Sequence, residues 1–262
     1  MTDKPAQTLF QQLLNGSLAT VEQSGDTRTL KFDSGLIQSR INIHCADQLP
    51  LPGNRLMLSH LIFGKLPRNV LLAGCGGGSI ARWFNAMLPD CHGTAIETSA
   101  EIIALARKFF DFPDHNSNWN ILQDDIRQFV TRQLANCDES YDFILFDIEE
   151  HGATPAWIIQ PQFLEKCKKL LSANGVITFN IVARTAEDFA RALLPVRQVF
   201  PEKTYCLTSL ESHNIMITAF TRKPDIGQLE LMAQKAKQRF KIEFDLIYQQ
   251  LLKENPSGSG IF

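Results

Sequence analysis

Two groups of residues in this chain carry chemistry by their type and spacing. The first is Gly74-Cys75-Gly76-Gly77-Gly78, set between the apolar run Val70-Leu71-Leu72-Ala73 and a helical pattern that begins at Ser79; Glu97 closes the next apolar run. Glycines carry no Cβ, so the backbone turns sharply and a ligand approaches it closely. An acid at the tip of the following strand accepts hydrogen bonds from both hydroxyls of a ribose. The order strand, glycine loop, helix, strand, acid is that of a βαβ unit binding an adenosine-containing small molecule. The loop reads G-x-G-x-G, and Ser79 stands where a dinucleotide site wants its third glycine; the shorter motif suits a ligand without a pyrophosphate. The alternative is a tight turn with an exposed Glu97.

The second group is acidic. Asp124 and Asp125 follow an apolar run and open a helical pattern, Ile126-Arg127-Gln128-Phe129. One of them suits the helix N-cap, where a carboxylate accepts from free N–H groups, and the other suits the exocyclic amine of an adenine. Asp147 ends the run Tyr141-Asp142-Phe143-Ile144-Leu145-Phe146, at the carboxyl tip of a strand where ligands meet open α/β sheets. Glu149, Glu150 and His151 follow at once. Three such carboxylates repel one another unless a cation or a hydrogen-bond network compensates, which is the pattern of a site for an amine. The alternative is a solvated loop in which only Asp147 acts. His151 reads either as a base or as an exposed loop residue.

The elements that position these residues follow from the hydrophobic pattern. Strands are predicted at 69–73, 93–97, 119–122, 141–147, 175–181 and 214–221, and helices at 79–87, 100–109, 125–135, 161–171 and 186–199. This alternation predicts a parallel sheet covered on both faces, a doubly wound Rossmann-like α/β fold. The run at 205–210 pairs with 214–221 as an antiparallel hairpin at the sheet edge. Ahead of it, 54–64 has helical spacing, and residues 18–46 read as short strands of a small antiparallel β appendage, with turns at Ser24-Gly25-Asp26 and Asp33-Ser34-Gly35. Residues 5–15 read as a short helix through Leu9, Phe10, Leu13 and Leu14. The pattern at 225–254 reads as one amphipathic helix, and 255–262 as a disordered tail. The expected division is thus a β domain at 1–53, a Rossmann-like ligand-binding domain at 54–224, the terminal helix at 225–254 and the tail at 255–262.

The chain has 262 residues, a net charge of −2 and 44% hydrophobic residues. That suits one large globular domain with a small appendage and gives no case for nucleic-acid binding. No run of about 18 unbroken apolar residues predicts a membrane helix, and the N-terminus lacks the apolar core of a signal peptide. The six cysteines, Cys45, Cys75, Cys91, Cys137, Cys167 and Cys206, include no C-x-x-C pair and read as reduced thiols of a cytoplasmic protein.

At the residues above, from about 18 to 222, the chain resembles the spermidine synthase (polyamine aminopropyltransferase) family within the class I S-adenosylmethionine-dependent methyltransferase fold. The segment 32–39, FDSGLIQS, is similar to that family's L-D-G-x-I-Q motif; Gly74–Gly78 resembles its glycine loop, Ile96-Glu97 its ribose partner, Asp124-Asp125-Ile126 its G-D-A/G motif and Asp147–His151 its D-S-x-D-P motif. The resemblance implies that Gln38, Gly74, Gly76, Gly78, Glu97 and Asp125, with Asp124 beside them, bind the nucleoside of S-adenosylmethionine or its decarboxylated form. It further implies that Asp147 is catalytic, that Glu149 and Glu150 meet a small-molecule amine acceptor in polyamine biosynthesis, that no metal takes part, and that the chain pairs as a homodimer. The departures lie on the acceptor side. Asn54-Arg55-Leu56-Met57 replaces the family's tyrosine-bearing Y-H-E-M, Glu150 and His151 replace Asp and Pro, and Ser212-His213-Asn214 replaces G-Q. Three readings therefore stand: an aminopropyltransferase-like enzyme, a methyltransferase of the same fold, and a non-catalytic nucleoside-binding or interaction protein. The first two differ in what surrounds the donor's amino-acid tail, for which Arg55 and Arg82 are the candidate cations.

Overall fold

The computed structural model of the chain describes residues 6–14, 16–33, 35, 37–114, 117–136, 140–210 and 212–262. It opens with four antiparallel strands in sequence order: β1 (Gln7–Leu14), β2 (Ser17–Ser24), β3 (Thr27–Lys31) and β4 (Ile37–Asn42). The predicted appendage is present, and its first member corrects the expected helix at 5–15. A β-bulge between Thr8 and Phe10 resets the alternation of β1, so its apolar residues fall at spacings that mimic a helical stripe. The Ser24-Gly25-Asp26 turn joins β2 to β3 as expected; Ser34 of the second turn lies outside the described residues.

A short helix, α1 (Pro52–Met57), and a 3-10 turn at Ser59–Phe63 lead into the larger domain. There β5 (Asn69–Ala73), α2 (Ser79–Met87), β6 (His92–Glu97), α3 (Ala100–Phe109), β7 (Trp119–Gln123), α4 (Ile126–Asn136), β8 (Tyr141–Phe146), α5 (Pro161–Leu170), β9 (Leu171–Val182) and α6 (Ala186–Val199) alternate. Then β10 (Thr204–Thr208) and β11 (Asn214–Phe220) complete a seven-stranded sheet of order β10-β11-β9-β8-β5-β6-β7. Strands β9, β8, β5, β6 and β7 are parallel, and β11 runs antiparallel to both of its neighbours.

Alternate side chains of each central strand supply two separate cores, which is why these strands read as unbroken apolar runs. Val70 and Leu72 join Trp83, Phe84 and Phe143 on one face. Leu71 and Ala73 join Phe129, Leu164 and Val196, from α4, α5 and α6, on the other. A third cluster, of Leu14, Ala19, Val21, Leu30 and Ile41 with Leu105 and Phe110, clamps the N-terminal sheet onto α3. That contact holds β4 and Gln38 over the glycine loop.

Two expectations at the C-terminus are corrected. The single helix at 225–254 is two, α7 (Leu229–Phe240) and α8 (Phe244–Glu254). Lys241 breaks them with a left-handed φ of 56° and an ion pair to Asp47, while Phe240, Ile242 and Phe244 carry the apolar pattern across the break into one core. The tail is also ordered. Asn255 exchanges hydrogen bonds with the Cys206 backbone, and the Ile261 N–H donates to the Thr204 carbonyl, its side chain fully buried. Cys45, Cys75, Cys91, Cys167 and Cys206 are free thiols, and Cys137 lies outside the described residues. Among the described residues no helix is long and apolar enough to cross a membrane.

Candidate active site

Chain order reverses at β5. Its two neighbours are β6, the next strand, and β8, which leads away to β9 on the opposite side. Such a reversal opens a crevice beyond the carboxyl ends of the strands, and it is there that Gly74 follows β5 and Asp147 follows β8. The two ends touch. Gly74 has φ +84°, and a Cβ on it would stand 2.3 Å from the Asp147 carbonyl oxygen, so any other residue would force the strand ends apart. Gly78, at φ +77°, starts α2 and would drive a Cβ to 2.3 Å from the Phe112 ring.

A row of backbone hydrogen bonds stitches the strand tips together. Asp147 N–H donates to the Ala73 carbonyl at 2.9 Å, Gly74 N–H to Ile96 at 2.9 Å, and Asp124 N–H to Glu97 at 3.0 Å. The crevice above them is a cavity of about 250 Å³ lined by Gln38, Gly74, Gly76, Glu97, Asp124, Asp125, Asp147, Glu149 and Glu150, with Phe32, Ile96, Ile102 and Trp157 as its apolar walls. Every expected site residue but one therefore meets in a single place. The exception is Gly78, which lines a small void beneath the loop with Asn54 and Ser79 and acts on the turn.

Glu97 accepts from the Ser99 N–H at 3.0 Å and faces the Cys75 N–H at 3.4 Å, so the loop and the acid orient one another. Of the two aspartates, Asp125 caps α4, accepting from Arg127 N–H at 2.7 Å. The Arg127 guanidinium holds its carboxyl below the usual range and lies over the Trp157 ring at 5.0 Å. Asp124 accepts from Asp125 N–H at 2.8 Å and pairs with Arg132.

Asp147 faces the cavity, yet protein surrounds it closely enough that desolvation raises its pKa, opposed by a hydrogen bond from Asn180 Nδ2 to Oδ1 at 2.7 Å. Asn180 is itself fixed by Asn214, whose Nδ2 donates to its Oδ1 at 2.8 Å. Glu149 is raised too, first by desolvation and then by the nearby Asp147 charge, with Arg184 acting against both. Beyond it, His151 at φ 52° and Gly152 at φ 77° turn the chain so that Glu150 and Ala153 bond to each other, and Arg184 donates to the Gly152 carbonyl. His151 is an exposed turn residue on a wider adjoining hollow with Asp33, Glu149, Glu150 and Arg184.

Arg55 and Arg82 do not reach the cavity. Arg55 pairs with Glu243 at 2.6 Å and donates to the Leu49 carbonyl; Arg82 is buried and donates to the carbonyls of Asn42 and Cys45. They tie the segment between the two sheets in place, so neither meets a donor's tail. Sequence reasoning missed Asn180 as a partner of Asp147. Its signal was an amide near the carboxyl end of the otherwise apolar run at 175–181, one residue beyond the Phe146–Phe179 pair of the sheet.

A methyltransferase-domain family model matches residues 70–175. A polyamine aminopropyltransferase from Chromobacterium violaceum is 28% identical over 92% of this chain and 91% of its own length. An eEF1A lysine and N-terminal methyltransferase homolog from Drosophila melanogaster is 27% identical but aligns with 51% of this chain and 20% of its own. Among solved structures, a probable spermidine synthase from Corynebacterium glutamicum superposes with a TM-score of 0.72 at 19% identity, over 90% of this chain and 87% of that one. A spermidine synthase in complex with the transition-state analogue AdoDATO gives 0.65 at 14% identity, over 94% and 88%.

Proposed function

We propose, from the premise that this chain is a spermidine synthase-like transferase of the methyltransferase fold, that it moves an aminopropyl group from decarboxylated S-adenosylmethionine to a small amine. The observation that carries the reading is the charge of the cavity. Its lining brings together Glu97, Asp124, Asp125, Asp147, Glu149 and Glu150, and among the described lining residues the one basic side chain is Arg127, already engaged by Asp125. S-adenosylmethionine carries an α-carboxylate that this lining repels; Arg184 stands in the adjoining hollow, outside the lining. The decarboxylated donor ends in an ammonium, and the acceptor brings further positive charge. The methyltransferase relative aligns with 51% of this chain, against 92% for the aminopropyltransferase.

In this reading Glu97 accepts from the ribose hydroxyls, Asp124 and Asp125 border the adenine, and the glycine loop lets the nucleoside lie close to the backbone. Glu149 and Glu150 hold the acceptor's distal ammonium. The acceptor's neutral nitrogen attacks the carbon bonded to the sulfonium. The N–C bond forms as the C–S bond breaks, the electron pair stays on sulfur, and methylthioadenosine leaves as a neutral thioether. Asp147 takes the proton that the new ammonium sheds. Holding the two reactants in line supplies several kcal/mol of the barrier, and a positioned base adds roughly 10²–10⁴-fold. Because the surrounding cavity wall desolvates Asp147 and Glu149 even though both face its open space, both hold protons to higher pH than free carboxylates, and activity rises with pH as Asp147 ionises.

Calorimetry with S-adenosylmethionine, its decarboxylated form and methylthioadenosine tests the reading. The expected result is binding of the decarboxylated donor at least about tenfold tighter than the parent, a difference of roughly 1.4 kcal/mol, with Asp147→Asn removing turnover and sparing that binding. Equal or tighter binding of S-adenosylmethionine would favour methyl transfer, and no binding of any of the three would favour an interaction protein.

A further inference from the structure

The cavity at the strand tips does not end at Glu149 and Glu150. Both, with Phe32 and Gln38, also line the adjoining hollow, a wider space of about 550 Å³ that reaches Arg184. The two spaces form one trough, with Asp147 in its first part and Arg184 in its second.

Arg184 is exposed, and its neighbours hold it in place. It stands between the end of β9 and the start of α6. Val182 N–H donates to Thr154 Oγ1 at 2.8 Å, and the Arg184 guanidinium donates to the Gly152 carbonyl at 3.0 Å. The end of β9 is thereby tied twice to the turn that carries Glu149 and Glu150. The two acids that follow Arg184 are engaged in α6: Asp188 accepts from the Arg184 and Thr185 N–H groups, and Glu187 pairs with Arg191. Among the described residues the Arg184 guanidinium makes no other hydrogen bond and no ion pair. A guanidinium presents five N–H donors, so most of its fork is left for what enters the hollow. Glu149 is the acid common to the base and this cation, since the Asp147 charge raises its pKa and Arg184 lowers it.

A plain diamine has no use for such a cation. Its far ammonium, drawn to Glu149 and Glu150, is repelled by Arg184. An α-amino acid head suits all three side chains, because its ammonium and carboxylate leave one carbon side by side. A guanidinium also matches a carboxylate with two parallel N–H donors.

We propose that the acceptor is a diamino acid, with its ω-nitrogen at Asp147, its α-ammonium at Glu149 and Glu150, and its carboxylate on Arg184. The inference rests on the aminopropyl-transfer reading and adds the class of acceptor. The neutral ω-nitrogen forms the N–C bond as the C–S bond breaks, the electron pair stays on sulfur, and Asp147 takes the proton. The products are methylthioadenosine and an N-aminopropyl diamino acid. Arg184 meets the substrate away from the reacting atoms, so it sets specificity.

Ornithine is 1,4-diaminobutane carrying a carboxylate on one amine-bearing carbon, so the pair isolates the group assigned to Arg184. Calorimetric titration of the full chain with each, with methylthioadenosine saturating the nucleoside site, tests the assignment without turnover. The expected result is ornithine bound at least about tenfold tighter than the diamine, with the same preference in kcat/KM when the decarboxylated donor is supplied. Arg184→Gln should erase the preference, raising KM for ornithine about tenfold with kcat retained. Arg184→Lys, which keeps the charge without the fork, should restore part of it. Equal or tighter binding of the diamine would overturn the assignment, as would no saturable binding of ornithine. So would an Arg184→Gln loss equal for both ligands, the mark of a disturbed turn at Gly152. Failure of the aminopropyl reading shows elsewhere, as tighter binding of S-adenosylmethionine than of its decarboxylated form, and the ornithine comparison still decides the acceptor class.

Discussion

Replacing Asn180 with Leu, close in size and without a donor, isolates what its amide does for Asp147. In the folded chain two influences oppose each other at that carboxyl: desolvation by the cavity wall favours the protonated form, and the 2.7 Å hydrogen bond from Asn180 favours the ionised form. A hydrogen bond to a charged group contributes ~1.5–3 kcal/mol, and at a carboxyl open to solvent the low end applies, which as a rate difference is about tenfold. With it gone, desolvation acts unopposed and the base holds its proton to higher pH. The expected outcome is a loss of that size in kcat/KM on the acid side of the pH–rate profile, with the acid limb displaced upward and activity largely recovered at alkaline pH. Release of methylthioadenosine followed across the pH range measures it, and calorimetric affinity for methylthioadenosine should not change. Asn214→Ala, which removes only the anchor of Asn180, should give a smaller displacement in the same direction. A loss equal at every pH, or an unmoved profile, would refute the account, because either outcome separates Asn180 from the ionisation of Asp147.

Three further outcomes follow from the same geometry. Glu97→Ala should weaken nucleoside binding by roughly 1–3 kcal/mol in calorimetry, the loss of a charged hydrogen-bond acceptor. Asp125→Ala removes the cap of α4 and should lower stability at neutral pH by about 0.5–2 kcal/mol in denaturant titrations. Arg127 holds the folded-state pKa of Asp125 below the usual carboxylate range, so that contribution is present above the unfolded pKa and lost as pH falls through the folded one, and the variant's deficit should shrink below about pH 4. Ile261→Ala should destabilise by about 2–5 kcal/mol, as for other buried large-to-small changes, and a negligible shift in unfolding midpoint would show that the ordered tail does not hold.

The glycine-loop side of the cavity was legible because each of its signals is local. A strand, a glycine turn and a helix start within a few residues of one another at 69–79, and an acid ends the next apolar run; the boundaries of β5, α2, α3 and α6 match the pattern. What stayed hidden depends on pairing between distant segments. The line Asn214–Asn180–Asp147 needs the registers of three strands at once, and Arg55 and Arg82 find their partners 188 and 40 residues away. The bulge in β1 and the break at Lys241 misled for another reason: each leaves an apolar spacing that belongs to a different element, because the local backbone departs from its period while the core still selects the same side chains.

The stitched tips of β5, β6, β7 and β8 divide the site into two mechanically distinct parts. Gly74, Glu97, Asp124 and Asp147 hang from peptide units bonded directly to one another, so a substitution that shifts one strand tip shifts its neighbours. The turn carrying Glu149, Glu150 and His151 lies outside that lattice, held by the Arg184 contact. Changes confined to that turn can alter what the acid-lined rim meets without moving the stitched strand tips.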